Sequence, residues 1–536
     1  MISDFFKNII NFNPAKTQIK STMKKNLLFC LVLMVSVLQN TQGQQRYLDE
    51  VFNNVTVTSN ITYGKNLSVL GVSPTAPVLS PLKLDFYEPT GDTFAARPLV
   101  VYMHTGSFLP ILYNKTTTGS KSDSTAVAMC SQFAKRGYVV ASIDYRLGWN
   151  PQALGAAGQD IRTGTLLQAV YRAIQDAKTA VRYLDSTSNH FKIDGSKIML
   201  CGQGSGGYVA LAYATLDDFN AEVAGLPKFI SGTTDLTYGF QAGQPYVSPA
   251  LMGDFEGFGG NATFNYPNLP TYSSAITMSV NMGGALGDST WLENGDVPMV
   301  CFHVPSDPFA PYTQGMVVVP TTGDNVVYVA GSYNVINRAE GFGNNDVFNI
   351  PYNDPYTTRA NQVNNGHEGL FPFIQAGPQA APWEWWDSTD LYVMGSILTL
   401  SNGLVDTIIG NSLLTNPNMS KAKALAYIDS IQGYLAPRMV QALALPGMYV
   451  GLENVIDVAF TIDVAPNPSS DNFEILSRQS PIQSYELYDI TGKLISSALL
   501  KDVASFIVNG KDFSKGIYLL SVNTQKGKAV KKLVVE

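Results

Sequence analysis

Residues 197–207 read Lys-Ile-Met-Leu-Cys-Gly-Gln-Gly-Ser-Gly-Gly. A short apolar run enters a turn in which four of six residues, Gly202, Gly204, Gly206 and Gly207, are glycine. Glycine at that density suits a backbone that must turn sharply or approach another backbone closely. The pattern is a strand running into a tight turn, and the flanking chain repeats the theme. Pro98 to Met103 and Tyr138 to Asp144 are continuous apolar runs, as expected of central strands covered on both faces. Leu82 to Pro89 alternates as an early strand, and Ala275 to Val280 and Pro298 to His303 read as later ones. Leu166 to Leu184 has helical spacing, with Val170, Ile174, Ala177, Val181 and Leu184 on one face, and Ala422 to Leu445 is largely helical. The expected class is α/β, a mostly parallel sheet flanked by helices.

The 536 residues suggest more than one domain. Hydrophobic residues make up 45% and charged residues 14%, so a large core is easily built and wholesale disorder is not expected. A net charge of -7 provides no electrostatic footprint for nucleic acid. Near the N-terminus, Lys24 and Lys25 precede an apolar run from Leu27 to Leu38, followed by Thr41-Gln42-Gly43-Gln44. That is the layout of a secretory signal peptide within residues 1–43, and the run is too short for a permanent membrane span. Beyond Cys30 in that run, Cys130, Cys201 and Cys301 remain; they cannot all pair within one chain and read as buried structural thiols. No Cys/His spacing suggests a metal, and the glycines at 202–207 are a weak match to a dinucleotide loop, so neither a metal nor a cofactor is expected.

From residue 461 the pattern changes to short strands and turns, after a boundary marked by Ala465-Pro466-Asn467-Pro468-Ser469-Ser470. Phe473 to Ile475, Ser484 to Tyr488, Ile517 to Leu520 and Lys532 to Val535 read as strands of a small β-sandwich, with a turn at Ile490 to Lys493. Pro466-Asn467-Pro468, Tyr488-Asp489-Ile490-Thr491-Gly492-Lys493, Gly516-Ile517-Tyr518 and the basic stretch Lys526 to Lys532 closely resemble the type A C-terminal sorting domain of the type IX secretion system of Bacteroidetes. The resemblance implies export through that machinery to a secreted or cell-surface location, with residues 461–536 as the sorting domain and residues 44–460 as the exported domain. An ordinary β accessory module, such as a carbohydrate binder, explains neither the terminal position nor the basic end.

Four segments of the larger domain carry a second resemblance. Val101-Tyr102-Met103-His104-Thr105-Gly106-Ser107-Phe108 resembles the oxyanion loop that follows a central strand in α/β-hydrolases, Ser142-Ile143-Asp144-Tyr145-Arg146-Leu147 the D-Y-R-L segment of the carboxylesterase and hormone-sensitive-lipase-like branch, and Gln175 to Leu184 the helix before the nucleophile strand. The fourth is the elbow, normally G-x-S-x-G with serine at the apex of a strained turn. Here the register is Gly202-Gln203-Gly204-Ser205-Gly206, with glycine at the apex and serine one place later. The resemblance implies an acid at Asp307, in Val304-Pro305-Ser306-Asp307 after a strand. It implies a base at His367, in Asn365-Gly366-His367-Glu368-Gly369 after the run Val326 to Val335. It also implies oxyanion donors at the N–H groups of Gly106, Ser107 and Ser205, although Thr105 and Ser107 stand where glycines are usual. His104 is expected to orient its loop, His303 to hold a structural hydrogen bond, and His190 to lie in a polar loop.

Two readings follow. If the turn shifts by one, Ser205 serves as nucleophile to His367 and Asp307, and the protein hydrolyses carboxylic esters. If Gly204 holds the apex, the scaffold is a binding or surface protein without a nucleophile. A prolyl-oligopeptidase-type peptidase shares the fold, and nothing in the sequence selects it. Residues 211–272 are expected to form a lid or substrate wall. Trp383, Trp385 and Trp386 either line a cleft or pack the loop after His367.

Overall fold

The computed structural model describes residues 45–70, 76–350, 352–446, 462–478, 480–489, 493–524 and 527–536. The signal-peptide segment and the turn residues 490–492 lie outside them. Everything below belongs to the unit Arg46–Glu536.

An eight-stranded sheet organises the larger domain. Its strands are β1 (Val55–Ser68), β2 (Val78–Pro89), β3 (Arg97–Met103), β4 (Val139–Ile143), β5 (Ile193–Gln203), β6 (Met278–Met282), β7 (Met299–His303) and, after an antiparallel pair formed by β8 (Gln314–Val318) and β9 (Asn325–Ala330), β10 (Leu370–Pro372). The spatial order is β1-β2-β4-β3-β5-β6-β7-β10. β1, β2 and β4 pair antiparallel, and every pair from β4 onward is parallel. The principal helices are α1 (Ser124–Lys135), α2 (Gln159–Ser186), α3 (Ser205–Thr215), α4 (Ser332–Phe342), α5 (Asn402–Thr415) and α6 (Lys421–Ala442).

Both faces of the sheet are covered, which is why its strands read as unbroken apolar runs. Along β3, Leu99, Val101 and Met103 join the core built with Ile174, Ala177 and Val181 of α2. Val100 and Tyr102 face the opposite core with Met129 and Phe133 of α1 and Ile431 and Leu435 of α6. Cys130, Cys201 and Cys301 are free and buried. The C-terminal strands form a three-stranded sheet, β11 (Ile462–Ala465), β12 (Asn472–Ser477) and β15 (Ser505–Asn509), and a four-stranded sheet in the order β14 (Leu494–Val503), β13 (Ile482–Asp489), β16 (Gly516–Thr524), β17 (Gly527–Val535). They close over Phe473, Ile475, Leu487, Leu520, Val522 and Leu533, the expected β-sandwich.

One difference from the sequence reading matters for the site. The run Val326 to Val335 is not a strand of the main sheet: β9 pairs with β8, and Ser332 already begins α4. The outer parallel strand is β10, three residues ending in proline and too short to show any periodicity. The chain leaving β4 is tied to α2 by a buried ion pair. Arg146 Nε lies 2.9 Å from Asp176 Oδ1, and the Arg146 backbone N–H donates to Asp176 Oδ2 at 2.7 Å. This pair fixes the loop that carries Tyr145. Asp176→Ala leaves the buried guanidinium without its counter-ion and should cost about 3–5 kcal/mol of stability in urea denaturation.

Candidate active site at the elbow

β5 ends at Gln203 and α3 begins at Ser205, so Gly204 alone makes the turn, with φ +51° and ψ -114°. That conformation is open to glycine and strained for any other residue. Gly204 therefore stands at the apex. A Cβ built there would fall on the Thr105 hydroxyl and within 2.9 Å of the Thr105 Cβ. The side chain present at 105 occupies the space of the side chain missing at 204.

Ser205 is the first residue of α3, and its side chain leaves in another direction. Its Oγ lies 3.1 Å from the Tyr145 hydroxyl, which donates to the His104 carbonyl at 2.8 Å. With the one tyrosine proton engaged, Ser205 is left to donate to the phenolic oxygen. Burial holds the Tyr145 hydroxyl well above its ordinary pKa, and the hydrogen bond from Ser205 offsets little of that. Tyr145 is thus no proton acceptor for Ser205 near neutral pH. The His104 ring stacks on Tyr145 at 4.7 Å, and burial pushes its pKa down. Its Nδ1 meets the Thr105 carbonyl at 2.5 Å, which fits the expected loop-orienting role.

Asp307 leaves the C-terminal end of β7 and is almost wholly buried. Its Oδ1 accepts the N–H groups of Phe309 and Ala310 at 2.8 and 3.1 Å, and burial pushes its pKa up to about 7. His303, at the end of the same strand, is fully buried, and desolvation lowers its pKa to about 4. Its neutral ring forms a closed chain: Asn281 Nδ2 donates to Ser332 Oγ (3.1 Å), Ser332 Oγ donates to His303 Nδ1 (2.7 Å), and His303 Nε2 donates to the Ala310 carbonyl (3.1 Å). Asp307 Oδ2 lies 3.8 Å from that Nε2, beyond a hydrogen bond.

Sequence reasoning did not select Glu384. It sits in the loop leaving the C-terminal end of β10, where the order nucleophile, acid, base would next place a histidine. Its Oε1 accepts from Gln203 Nε2 at 2.8 Å, and Gln203 Oε1 accepts from the Tyr102 hydroxyl at 2.8 Å. Burial, opposed by the Gln203 hydrogen bond and reinforced by Asp307, raises Glu384 to about 7. The signal was hidden because β10 itself was not recognisable.

His367 lies three residues before β10, at the end where the strand enters the sheet, whereas the elbow and Asp307 lie where parallel strands leave it. Its Nδ1 is 2.5 Å from Glu340 Oε2 of α4, and its ring sits edge-on to Tyr333 at 5.0 Å. Ser205 and Asp307 line one cavity of about 160 Å³, together with Thr105, Ser107, Gly204 and Glu384; His367 and Gly106 are not among its lining residues. The structure thus places Ser205 and Asp307 in the wall of one cavity, with His367 outside that wall. Of the expected oxyanion donors, Ser107 and Ser205 border the cavity. Trp383 also lines it, buried against the core, whereas Trp386 packs on Leu391 and Val405 and Trp385 against the α1/α6 face.

Gly204→Ser adds backbone strain of about 1–3 kcal/mol and an overlap of similar size with Thr105. Thr105→Gly in the same chain should recover more than about 1 kcal/mol of it, read as a coupling in a double-mutant cycle by urea denaturation. Glu384 and Asp307 hold more protons folded than unfolded between their ordinary values, 4.5 and 3.8, and about 7. Their contribution is complete below about pH 4 and is lost as pH rises through 7. The isosteric Glu384→Gln variant should therefore gain melting temperature relative to the parent protein as pH rises from 4.5 to 8, and differ least at the acid end.

Residues 84–319 match the BD-FAE family, and residues 463–536 match the Secretion system C-terminal sorting domain. No curated protein matches the chain. Solved structures similar to it include the native thermophilic esterase Est2 of the Planctomycetes species Thermogutta terrifontis, at 15% identity over 70% of this chain and 99% of that one, TM-score 0.30. A truncated carbohydrate esterase from gut microbiota is similar at 17% identity, 55% and 86% coverage, TM-score 0.30. The hyperthermophilic esterase of the archaeon Pyrobaculum calidifontis is similar at 23% identity, 30% and 39% coverage, TM-score 0.20. The sorting domain assigns the chain to type IX export and a secreted or cell-surface location. Among the described residues, no helix is long and apolar enough to cross a membrane. The chain carries a domain of α/β-hydrolase fold, matched by the BD-FAE family model over residues 84–319, and a C-terminal type IX sorting domain matched over residues 463–536.

Proposed function

We propose that this exported protein is a non-hydrolytic binding member of the α/β-hydrolase fold, whose elbow cavity holds an uncharged apolar ligand bearing a hydrogen-bond acceptor. Gly204 at the apex, with Thr105 filling the space of the absent side chain, carries the reading. Loss of a triad serine alone costs on the order of 10⁶ in rate. Ser205 does not replace it, because its hydroxyl hydrogen-bonds to Tyr145 and, among the described residues, to no imidazole. Phe108, Trp149, Phe309 and Trp383 supply apolar wall. Asp307 and Glu384, both raised to about 7, each carry a proton part of the time at neutral pH, and a protonated carboxyl can donate to a carbonyl or ether oxygen. An ester fits that description and would be held without being cleaved.

The competing reading, ester hydrolysis through Ser205, is favoured by one observation: Ser205 and Asp307 share the cavity. Turnover of a short-chain aryl ester separates the two. The binding reading predicts a rate equal to buffer for the parent protein and for Ser205→Ala. It predicts turnover only when Thr105→Gly, Gly204→Ser and Glu384→His are combined to restore space, nucleophile and base beside Asp307. Parent turnover that disappears on Ser205→Ala would establish the hydrolase instead.

A further inference from the structure

A second cavity, of about 300 Å³, adjoins the elbow cavity, and Trp149 lines both. Its other walls include Tyr113, Tyr238, Leu251, Met252 and Phe264, and Arg172 of α2 borders it as well. Arg172 is only 5% exposed. Its Nη2 donates to the Gly148 carbonyl at 2.7 Å, and among the described residues its Nε has no hydrogen-bond partner and its guanidinium forms no ion pair. Asp176, one helical turn along, is already engaged by the guanidinium and backbone N–H of Arg146. Gln168, also in the wall, spends its amide N–H groups on the carbonyls of Tyr238 and Tyr246.

A guanidinium buried this far normally sits against a carboxylate, because removing it from water costs several kcal/mol that only a close counter-charge offsets. Burial, and then the neighbouring charge of Arg146, push Arg172 down to about 9 against the opposing pull of Asp176, and it is still charged at neutral pH. We propose that this cavity binds an organic acid, its carboxylate on Arg172 and its aromatic or aliphatic body among Trp149, Tyr238, Met252 and Phe264. An inorganic anion has no use for that lining, and a neutral molecule leaves Arg172 with only the longer-range field of Asp176, whose carboxylate Arg146 already engages. The site does not rest on how the elbow is read, since none of Gly204, Ser205, Asp307 or Glu384 borders it.

Titration calorimetry of the full chain with phenylbutyrate, phenylbutanol and sodium sulfate tests this. The acid should bind at least tenfold more tightly than the alcohol, since a charge-assisted hydrogen bond is worth at least about a factor of ten, and sulfate should not compete at equal concentration. Arg172→Gln should weaken the acid about tenfold or more and leave the alcohol unchanged. Leu251→Trp, at a partly exposed wall position that does not reach the elbow cavity, should abolish binding of the acid. If Arg172→Gln does not fold, the acid–alcohol comparison and Leu251→Trp still decide. No acid binding to the parent protein, equal binding of acid and alcohol, competition by sulfate, or binding that survives Leu251→Trp would each overturn the proposal.

Discussion

The site depends on one steric exclusion, between the Thr105 side chain and the apex of the elbow. At a nucleophile elbow the strained apex residue projects its side chain into the cleft, and the neighbouring oxyanion loop keeps that space clear with small residues. Here the two roles are exchanged. The apex keeps the strained backbone, φ +51° at Gly204, while the loop side chain fills the space. Glycine adopts this backbone without the penalty a serine bears, so nothing in the local energetics favours a side chain at 204.

Strand direction governs the rest of the arrangement. In a parallel sheet, the groups that meet above the elbow must come from the C-terminal ends of the strands. Asp307 after β7 and Glu384 after β10 satisfy that condition; His367 before β10 does not. The cleft thus combines two buried carboxyls, each raised to about 7, with a serine donating to a tyrosine, and among the described residues no imidazole lines it. The Arg146–Asp176 pair contributes by holding Tyr145 against both His104 and Ser205.

Much of this was legible in the sequence. Central strands betray themselves by unbroken apolar runs because both faces are covered, and β3, β4, β5 and β7 were all read that way. Helix α2 showed its buried face through 3.6-residue spacing. The letters put Gly204 at the apex of the best register and leave open a turn shifted by one, with Ser205 there. The end of the sheet to which His367 belongs was not legible, for a physical reason. β10 contributes three residues, Leu370 to Pro372, held mainly by pairing with β7, and three residues carry no periodicity. With β10 unseen, the run at Val326 took its place in the count of strands, and His367 appeared to follow a strand when it precedes one. Glu384 was hidden for the same reason. Whether Thr105 obstructs or merely borders the elbow is a matter of tenths of an ångström that no pattern of residue types records.

A non-hydrolytic elbow cavity, as proposed, holds no activated hydroxyl. Incubating the intact protein with a fluorophosphonate, which phosphylates activated serine hydroxyls, and measuring its mass tests this most directly. The mass should remain unmodified after exposure that fully labels a functional serine esterase run in parallel. A single adduct mapped to Ser205 would contradict it.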